Sequence, residues 1–327
     1  MTIGGDSAGA ASVNLHMTAF GGRDDGLFHA AAAESQSFGP QFTVAESQYQ
    51  YDAIVNRVGC NSSYDTLACL RSLSLATLAK NNIVIPTPGG GGGNPEYMYS
   101  NVIDGDFTTD YTYNLFSHGK FVKVPSIFGD DTNEGTIFVS QNISTLGDMI
   151  TYLRDNFPKL TEEQLWVITD FYPRGAQYPN AGAYWSATAK AYGEMRYNCP
   201  GIFISGAISH FSSLGSWNYH WDVLSAANAA SGYGVTHTAE VASIWGHSSP
   251  PDSALIPTIQ AYWTSFIRTG DPNRYKLREA PEWEQFSVEK RRLHFVNQVG
   301  DVAMENVPDG QGERCIFLSW IGPSIQQ

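Results

Sequence analysis

A chain of 327 residues with 42% hydrophobic and 13% aromatic content can bury a sizeable core, and α/β folds of this length often form one domain. Its 32 acidic against 19 basic residues leave a formal charge of −13, which excludes a surface suited to a nucleic-acid backbone. No apolar stretch reaches the ~18 residues that span a bilayer; the best run, Cys315 to Ile321, has only strand length.

The chain opens on Met1-Thr2-Ile3-Gly4-Gly5-Asp6, a short β-like segment without the basic flank and apolar core of a signal peptide. It runs into Gly5-Asp6-Ser7-Ala8-Gly9, a Gly-x-Ser-x-Gly pattern. In such an elbow a tight strand-to-helix turn exposes the serine hydroxyl, and the flanking glycines avoid clashes on either side. In a chain with 32 glycines the pentapeptide also arises by chance, so its context carries the weight. That context is favourable: Ala8, Ala10, Ala11, Val13 and Leu15 predict a helix starting just after Ser7, with Gly21-Gly22 as its stop.

Further on, Cys60 and Cys69 flank a short polar loop, a spacing that favours a local disulfide over a metal site and points to an oxidising compartment. Asn61 and Asn142 match the glycosylation acceptor pattern. Gly89 to Gly93 lacks the following helix and Lys-Ser/Thr pair of a phosphate-binding loop and is expected to be a surface connection. Strands are predicted over Val124 to Gly129 and Ser216 to Val223. The region from Leu146 to Leu214 reads as a helical covering layer, with a capping box at Thr161 to Gln164, and a further helix is predicted from Pro257 to Thr269, closed by Gly270. Strands alternating with helices give an α/β class, with no repeat and no linker.

A serine hydroxyl needs an imidazole base, and the base needs a carboxylate to fix its tautomer. The loop after the strand at Val124 offers Asp130, Asp131 and Glu134, equally eligible by position. Of the eight histidines, His237 lies in a glycine-rich loop after the strand at Ser216, His210 and His220 fall in apolar segments where packing is expected, and His247 is the runner-up on spacing.

From Thr2 to Ala10 onward the chain resembles the type-B carboxylesterase/lipase family, which includes the cholinesterases and fungal lipases. The likeness continues through Gly21 to Phe28, Ala33-Glu34-Ser35, Cys60 to Leu70-Arg71, Val102 to Phe107, Val124-Pro125, Asn133-Glu134-Gly135-Thr136, Gly234 to His237, Ala261 to Phe266 and Thr269 to Asn273. It implies an α/β-hydrolase fold over residues 1–327, a single domain lacking the first strands of the sheet. It further implies a disulfide between Cys60 and Cys69, and catalysis of ester hydrolysis by Ser7, Glu134 and His237. Asn133 stands where the family usually has aspartate. The resemblance implies no metal and no organic cofactor; the expected partner is a small-molecule or lipid ester, and the expected setting is extracellular.

The family's glycine-rich oxyanion turn precedes the elbow and has no counterpart here, which leaves the Ala8 N–H as the oxyanion donor. One lost donor costs about 10²- to 10³-fold in rate. The chain is therefore expected to be a fragment, with Met1 as an internal start, weakened or inactive alone, its first strand an open edge able to pair with a missing N-terminal half. A non-catalytic cholinesterase-like adhesion protein is the alternative, disfavoured by the intact triad; a chance motif in an unrelated α/β domain is disfavoured by the ordered blocks. Trp245 and Phe38 are candidates for lining an ester pocket. Cys199 and Cys315 pair with each other, pair elsewhere or stay free.

Overall fold

The computed structural model describes residues 1–178, 180–246, 254–296 and 301–327. Among the described residues eight strands form in chain order: β1 (Thr2–Asp6), β2 (Ala30–Glu34), β3 (Phe42–Thr43), β4 (Val102–Ile103), β5 (Ser126–Asp131), β6 (Ser216–Trp221), β7 (Arg291–Phe295) and β8 (Val302–Asn306). Six of them make one sheet in the order β1-β2-β5-β6-β7-β8, while β3 and β4 pair apart. Pairing is parallel from β1 to β7, and β8 closes the far side antiparallel. β1 and β8 are the outer strands.

Both faces of this sheet are covered, which the strand sequences require. β2 is a run of alanines with every residue buried. Ala31 and Ala33 join one hydrophobic cluster with Ala10, Val13, Met17, Phe128 and Ile204, whereas Ala30 and Ala32 join another with Ile127, Tyr219, Trp263 and Phe266. Side chains alternate across a strand, so a central strand buried on both faces reads as continuous hydrophobics rather than as an alternating pattern. The methyl groups of β2 leave room for the helix Ala8–Gly22 on one side and for Trp263, from the helix Ile256–Thr269, on the other.

The helix after Ser7 forms as expected and kinks at Ala19 to Gly21 before ending. Thr161 caps the helix Glu162–Phe171 through a capping box with Gln164. The helix Ile256–Thr269 closes on Gly270 at φ +75°, a left-handed conformation that glycine adopts without a Cβ penalty. The covering helices lie at Leu146–Asn156, Glu162–Phe171 and Trp185–Gly193; the last continues through a π-helical turn, Glu194–Asn198, into Cys199–Phe211. This final helix packs directly on β5 and β6, so the expected covering layer is partly a wall of the sheet itself.

One expected boundary needs correction. The strand predicted from Val124 begins two residues later, at Ser126, because Pro125 cannot donate to a ladder and its carbonyl instead accepts from the Ala31 N–H. The apolar run from Cys315 falls in the last turns of the helix Asp309–Trp320, with Ile321 as its C-cap. Cys315 and Leu318 are buried while Ile316 and Trp320 are exposed, a helical spacing that a short apolar run hides. The loop from Gly89 to Gly93 lies at the surface, with the Gly93 N–H donating to Asp155 Oδ1 at 2.9 Å.

Disulfides join Cys60 to Cys69 and Cys199 to Cys315. The second links the wall helix Cys199–Phe211 to the C-terminal helix, resolving the fate that the sequence left open.

Candidate active site

Ser7 occupies the turn between β1 and the helix Ala8–Gly22 with φ 54° and ψ −118°, a region that a residue with a Cβ enters at a cost of about 1–3 kcal/mol. The Ser7 N–H donates to the Glu34 carbonyl at 3.1 Å and the Ser7 carbonyl accepts from Ala11 at 3.0 Å, so neighbouring strand and helix hold the turn. Only one flanking glycine is sterically required. A Cβ on Gly5 would meet the Gly9 backbone at 2.6 Å, whereas a Cβ on Gly9 would meet nothing within 4 Å.

The other two candidates converge on that serine. His237 Nε2 lies 2.7 Å from Ser7 Oγ, and His237 Nδ1 lies 2.5 Å from Glu134 Oε2. Glu134 is 1% and His237 7% exposed, so the pair works in a low-dielectric setting. Glu134 Oε1 accepts from the Asp131 N–H at 2.8 Å, fixing the carboxylate so that its other oxygen faces the imidazole. Burial disfavours the imidazolium of His237, but the charge and hydrogen bond of Glu134 more than offset it, and the net shift is upward. The Glu134 carboxylate accepts a hydrogen bond from Nδ1–H, which leaves Nε2 to accept the serine proton.

The loops carrying acid and histidine are tied together. The Val235 N–H donates to Asn133 Oδ1, Asn133 N–H donates to the Val235 carbonyl, and Thr136 Oγ1 donates to the Tyr233 carbonyl at 2.8 Å. On the other flank, Ser35 Oγ donates to Asp131 Oδ2 at 3.0 Å and accepts from the Thr238 N–H at 2.9 Å, while Ala239 N–H donates to the same Asp131 oxygen. Of the three eligible acids, Glu134 alone reaches His237; Asp131 anchors the residues that follow it, and Asp130 Oδ1 is buried without a hydrogen-bond partner.

Sequence reasoning gave Glu34 and Glu240 no role and weighed Asp130 and Asp131 only as partners of the histidine. Glu34, Asp130, Asp131 and Glu240 are all buried. Burial first, then the charges of Glu134 and Glu240, pushes Asp130 and Asp131 well above the carboxylate range. Burial also raises Glu240, with the Glu134 charge adding to it. Glu34 is pushed up to about 8, again chiefly by burial, against the opposing hydrogen bond from Trp263 Nε1 at 2.8 Å. Glu34, Asp130 and Asp131 occupy the C-terminal ends of β2 and β5, where ligands and reactive groups collect in open α/β sheets, and that position is the signal that could have found them. Tyr197, presented by the π-helical turn, and Phe138 pack their rings 4.5 and 5.1 Å from His237.

The remaining candidates fall elsewhere. His210 is exposed at a helix end rather than packed, and Phe38 is 1% exposed, packed in the core against Tyr113. His220 packs on His294 on the sheet face, Trp245 is half-exposed, and His247 lies outside the described residues. Asn61 and Asn142 are exposed. Ala8 opens its helix, where first-turn N–H groups lack intrahelical partners. A cavity of about 570 Å³ lies on the other side of the acid loop, lined by Asn133, Glu134, Tyr172, Tyr178 and Trp185. Neither Ser7 nor His237 faces it, so it does not deliver a substrate to the serine.

A doubly covered α/β sheet with this serine, histidine and glutamate arrangement is that of an α/β-hydrolase. The chain matches the sequence profile of the carboxylesterase family over residues 1–307 and belongs to that family. It is similar to secreted lipase 4 of Gibberella zeae, 26% identical over 99% of the chain and 60% of the lipase, and to secreted lipase 1 of Botryotinia fuckeliana, 28% identical over 94% of the chain and 56% of the lipase. The crystal structure of Aspergillus niger EstA superposes with a TM-score of 0.94 at 37% identity, over 100% of this chain and 65% of that one. The chain thus spans about 60% of the length of the secreted lipase from Gibberella zeae.

Proposed function

We propose that this chain carries the reaction centre of a serine carboxylic ester hydrolase. The observation that carries the reading is the unbroken hydrogen-bond chain from Ser7 Oγ through His237 to Glu134. In this reading Ser7 Oγ bonds to the ester carbonyl carbon as its proton passes to His237 Nε2. The tetrahedral intermediate then expels the alcohol, which takes that proton, and leaves an acyl-serine. Water repeats the sequence with His237 again as base, releasing the acid and restoring Ser7. Glu134 stays ionised and orients the imidazole. The Ala8 N–H, in the first turn of its helix, is the oxyanion donor in this reading.

Carboxylic esters, including lipid esters, are the proposed substrates, supported by relatives named as lipases. Two disulfides, exposed acceptor asparagines Asn61 and Asn142, and relatives named as secreted support an exported, glycosylated protein. No described helix is long and apolar enough to cross a membrane.

The test is pre-steady-state hydrolysis of p-nitrophenyl acyl esters. A burst of nitrophenol with one equivalent per chain, absent from Ser7→Ala, is expected; product release without a burst, equal in wild type and Ser7→Ala, would refute the reading.

A further inference from the structure

We propose that His220, His294 and Glu305 form a binding site for a divalent transition-metal ion of the zinc class, with Thr132 and Asp222 orienting the two imidazoles. The site is separate from the reaction centre and does not depend on the chain being an esterase.

Strand register builds the cluster. His220 on β6 and His294 on β7 are direct partners in a parallel ladder, so their side chains stand on one face of the sheet. On antiparallel β8, Ala303 lies opposite His294 and Glu305 opposite Arg292. Side chains two apart share a face, so Glu305 stands beside both histidines while the methyl of Ala303 leaves space. The three ligand groups come within 4.8 Å of one another and are only partly buried, which gives an ion an entry path.

The ring nitrogens face oxygen on both sides. Thr132 Oγ1 lies 2.8 Å from His220 Nε2 and also reaches Asp222 Oδ1 and the Trp221 carbonyl. His294 Nε2 faces Asp222 Oδ2 at 3.5 Å, a contact that is favourable only with a proton on the nitrogen. Both Nδ1 atoms then turn toward Glu305, at 2.9 Å from Oε1 for His220 and 2.9 Å from Oε2 for His294. Both Nδ1 atoms and Arg292 Nε thus converge on one carboxylate, with the imidazole centroids 4.7 Å apart. A divalent ion held by the two Nδ1 atoms and Glu305 takes the place of the imidazole–carboxylate contacts. It reproduces the arrangement in which each metal-bound imidazole gives its other N–H to an oxygen.

Two imidazoles with one carboxylate form a zinc-type donor set, ill-suited to magnesium or calcium. The ring planes lie 8° apart, so an ion in the plane of both requires one ring to turn. The ligands sit on three separate strands, which is why no spacing in the sequence reveals them. Bound metal would clasp β6, β7 and β8 to the loop that carries Thr132 and, two residues on, Glu134.

The full chain, stripped with chelator, is titrated with Zn²⁺ by calorimetry and with Co²⁺ by visible absorption. Expected are one equivalent of Zn²⁺, a cobalt spectrum of low coordination number, and no heat from Mg²⁺. His294→Ala and Glu305→Gln should abolish that equivalent, Asp222→Asn should weaken it about ten- to a hundredfold, and the exposed His118→Ala should leave it unchanged. Melting curves without metal establish that each variant is folded; should Glu305→Gln not fold, Asp222→Asn alone decides the matter. No uptake by wild type, or uptake that the His294 and Asp222 variants leave unaltered, would overturn the proposal.

Discussion

Asn133 and Val235 bind each other twice: Asn133 Oδ1 accepts from the Val235 N–H at 2.9 Å, and the Asn133 N–H donates to the Val235 carbonyl at 2.8 Å. One partner precedes Glu134 by a residue and the other precedes His237 by two, so the pair sets the spacing between acid and base. Asn133→Ala is expected to cost about 1–3 kcal/mol in stability and to slow acylation of Ser7. Asn133→Asp keeps an accepting oxygen and should restore most of both. Gly234→Ala should resemble Asn133→Ala, because Gly234 sits at φ +72° and a Cβ there would lie 2.0 Å from Asn133 Oδ1. Thermal melts and acylation rates of the three variants check this.

The elbow glycines should differ in tolerance. Gly5→Ala drives a methyl into the Gly9 backbone and is expected to abolish acylation and lower the melting temperature by several degrees. Gly9→Ala meets open space inside a helix and should be neutral or slightly stabilising, since alanine favours helix by about 1 kcal/mol over glycine.

The pH profile of acylation reports the coupling between Glu134 and His237. In the proposed mechanism the base form of His237 is the reactive one, and its proton affinity is held above the ordinary value of 6.5, so the rate should rise with pH through a midpoint above that value. Glu134→Gln removes the charge that outweighs burial. The midpoint should fall, and the plateau rate should drop by about 10³- to 10⁴-fold as the tautomer is lost. The same pairing stabilises the fold below the imidazole's unfolded value, and that contribution fades as pH rises through the native value. Inhibitor-acylation rates across pH for both proteins measure the shift.

The two disulfides should contribute unequally. Cys199–Cys315 closes a separation of 116 residues and Cys60–Cys69 one of 9, and the loop entropy removed from the unfolded chain grows with length. Replacing Cys199 and Cys315 by alanine should lower the denaturation midpoint more than replacing Cys60 and Cys69. Equal losses would show that strain or residual unfolded structure dominates.

Much of the site was legible because its chemistry is local. The elbow at Ser7 is a contiguous pattern beside a strand and an alanine-rich helix. Glu134 and His237 were legible only through order and resemblance; nothing about Glu134 as a residue separates it from Asp130 or Asp131, and the distinction appears once β5 ends and the turn aims one carboxylate at the imidazole. Contacts between distant strands stayed hidden, including Ser35 with Asp131 and His220 with Glu305. The helix through Cys315 was not legible, because a short apolar run fits either period until the Cys199 partner and the Pro308 start are known.

The central claim is that this chain assembles a reactive serine at position 7. Treating the folded protein with a fluorophosphonate probe and locating the adduct by mass spectrometry tests it directly. A single adduct on Ser7, absent in Ser7→Ala and strongly slowed in His237→Ala, is the expected result. A folded, cooperatively melting chain that takes no label, or takes it on another residue at a rate indifferent to His237, would contradict the account.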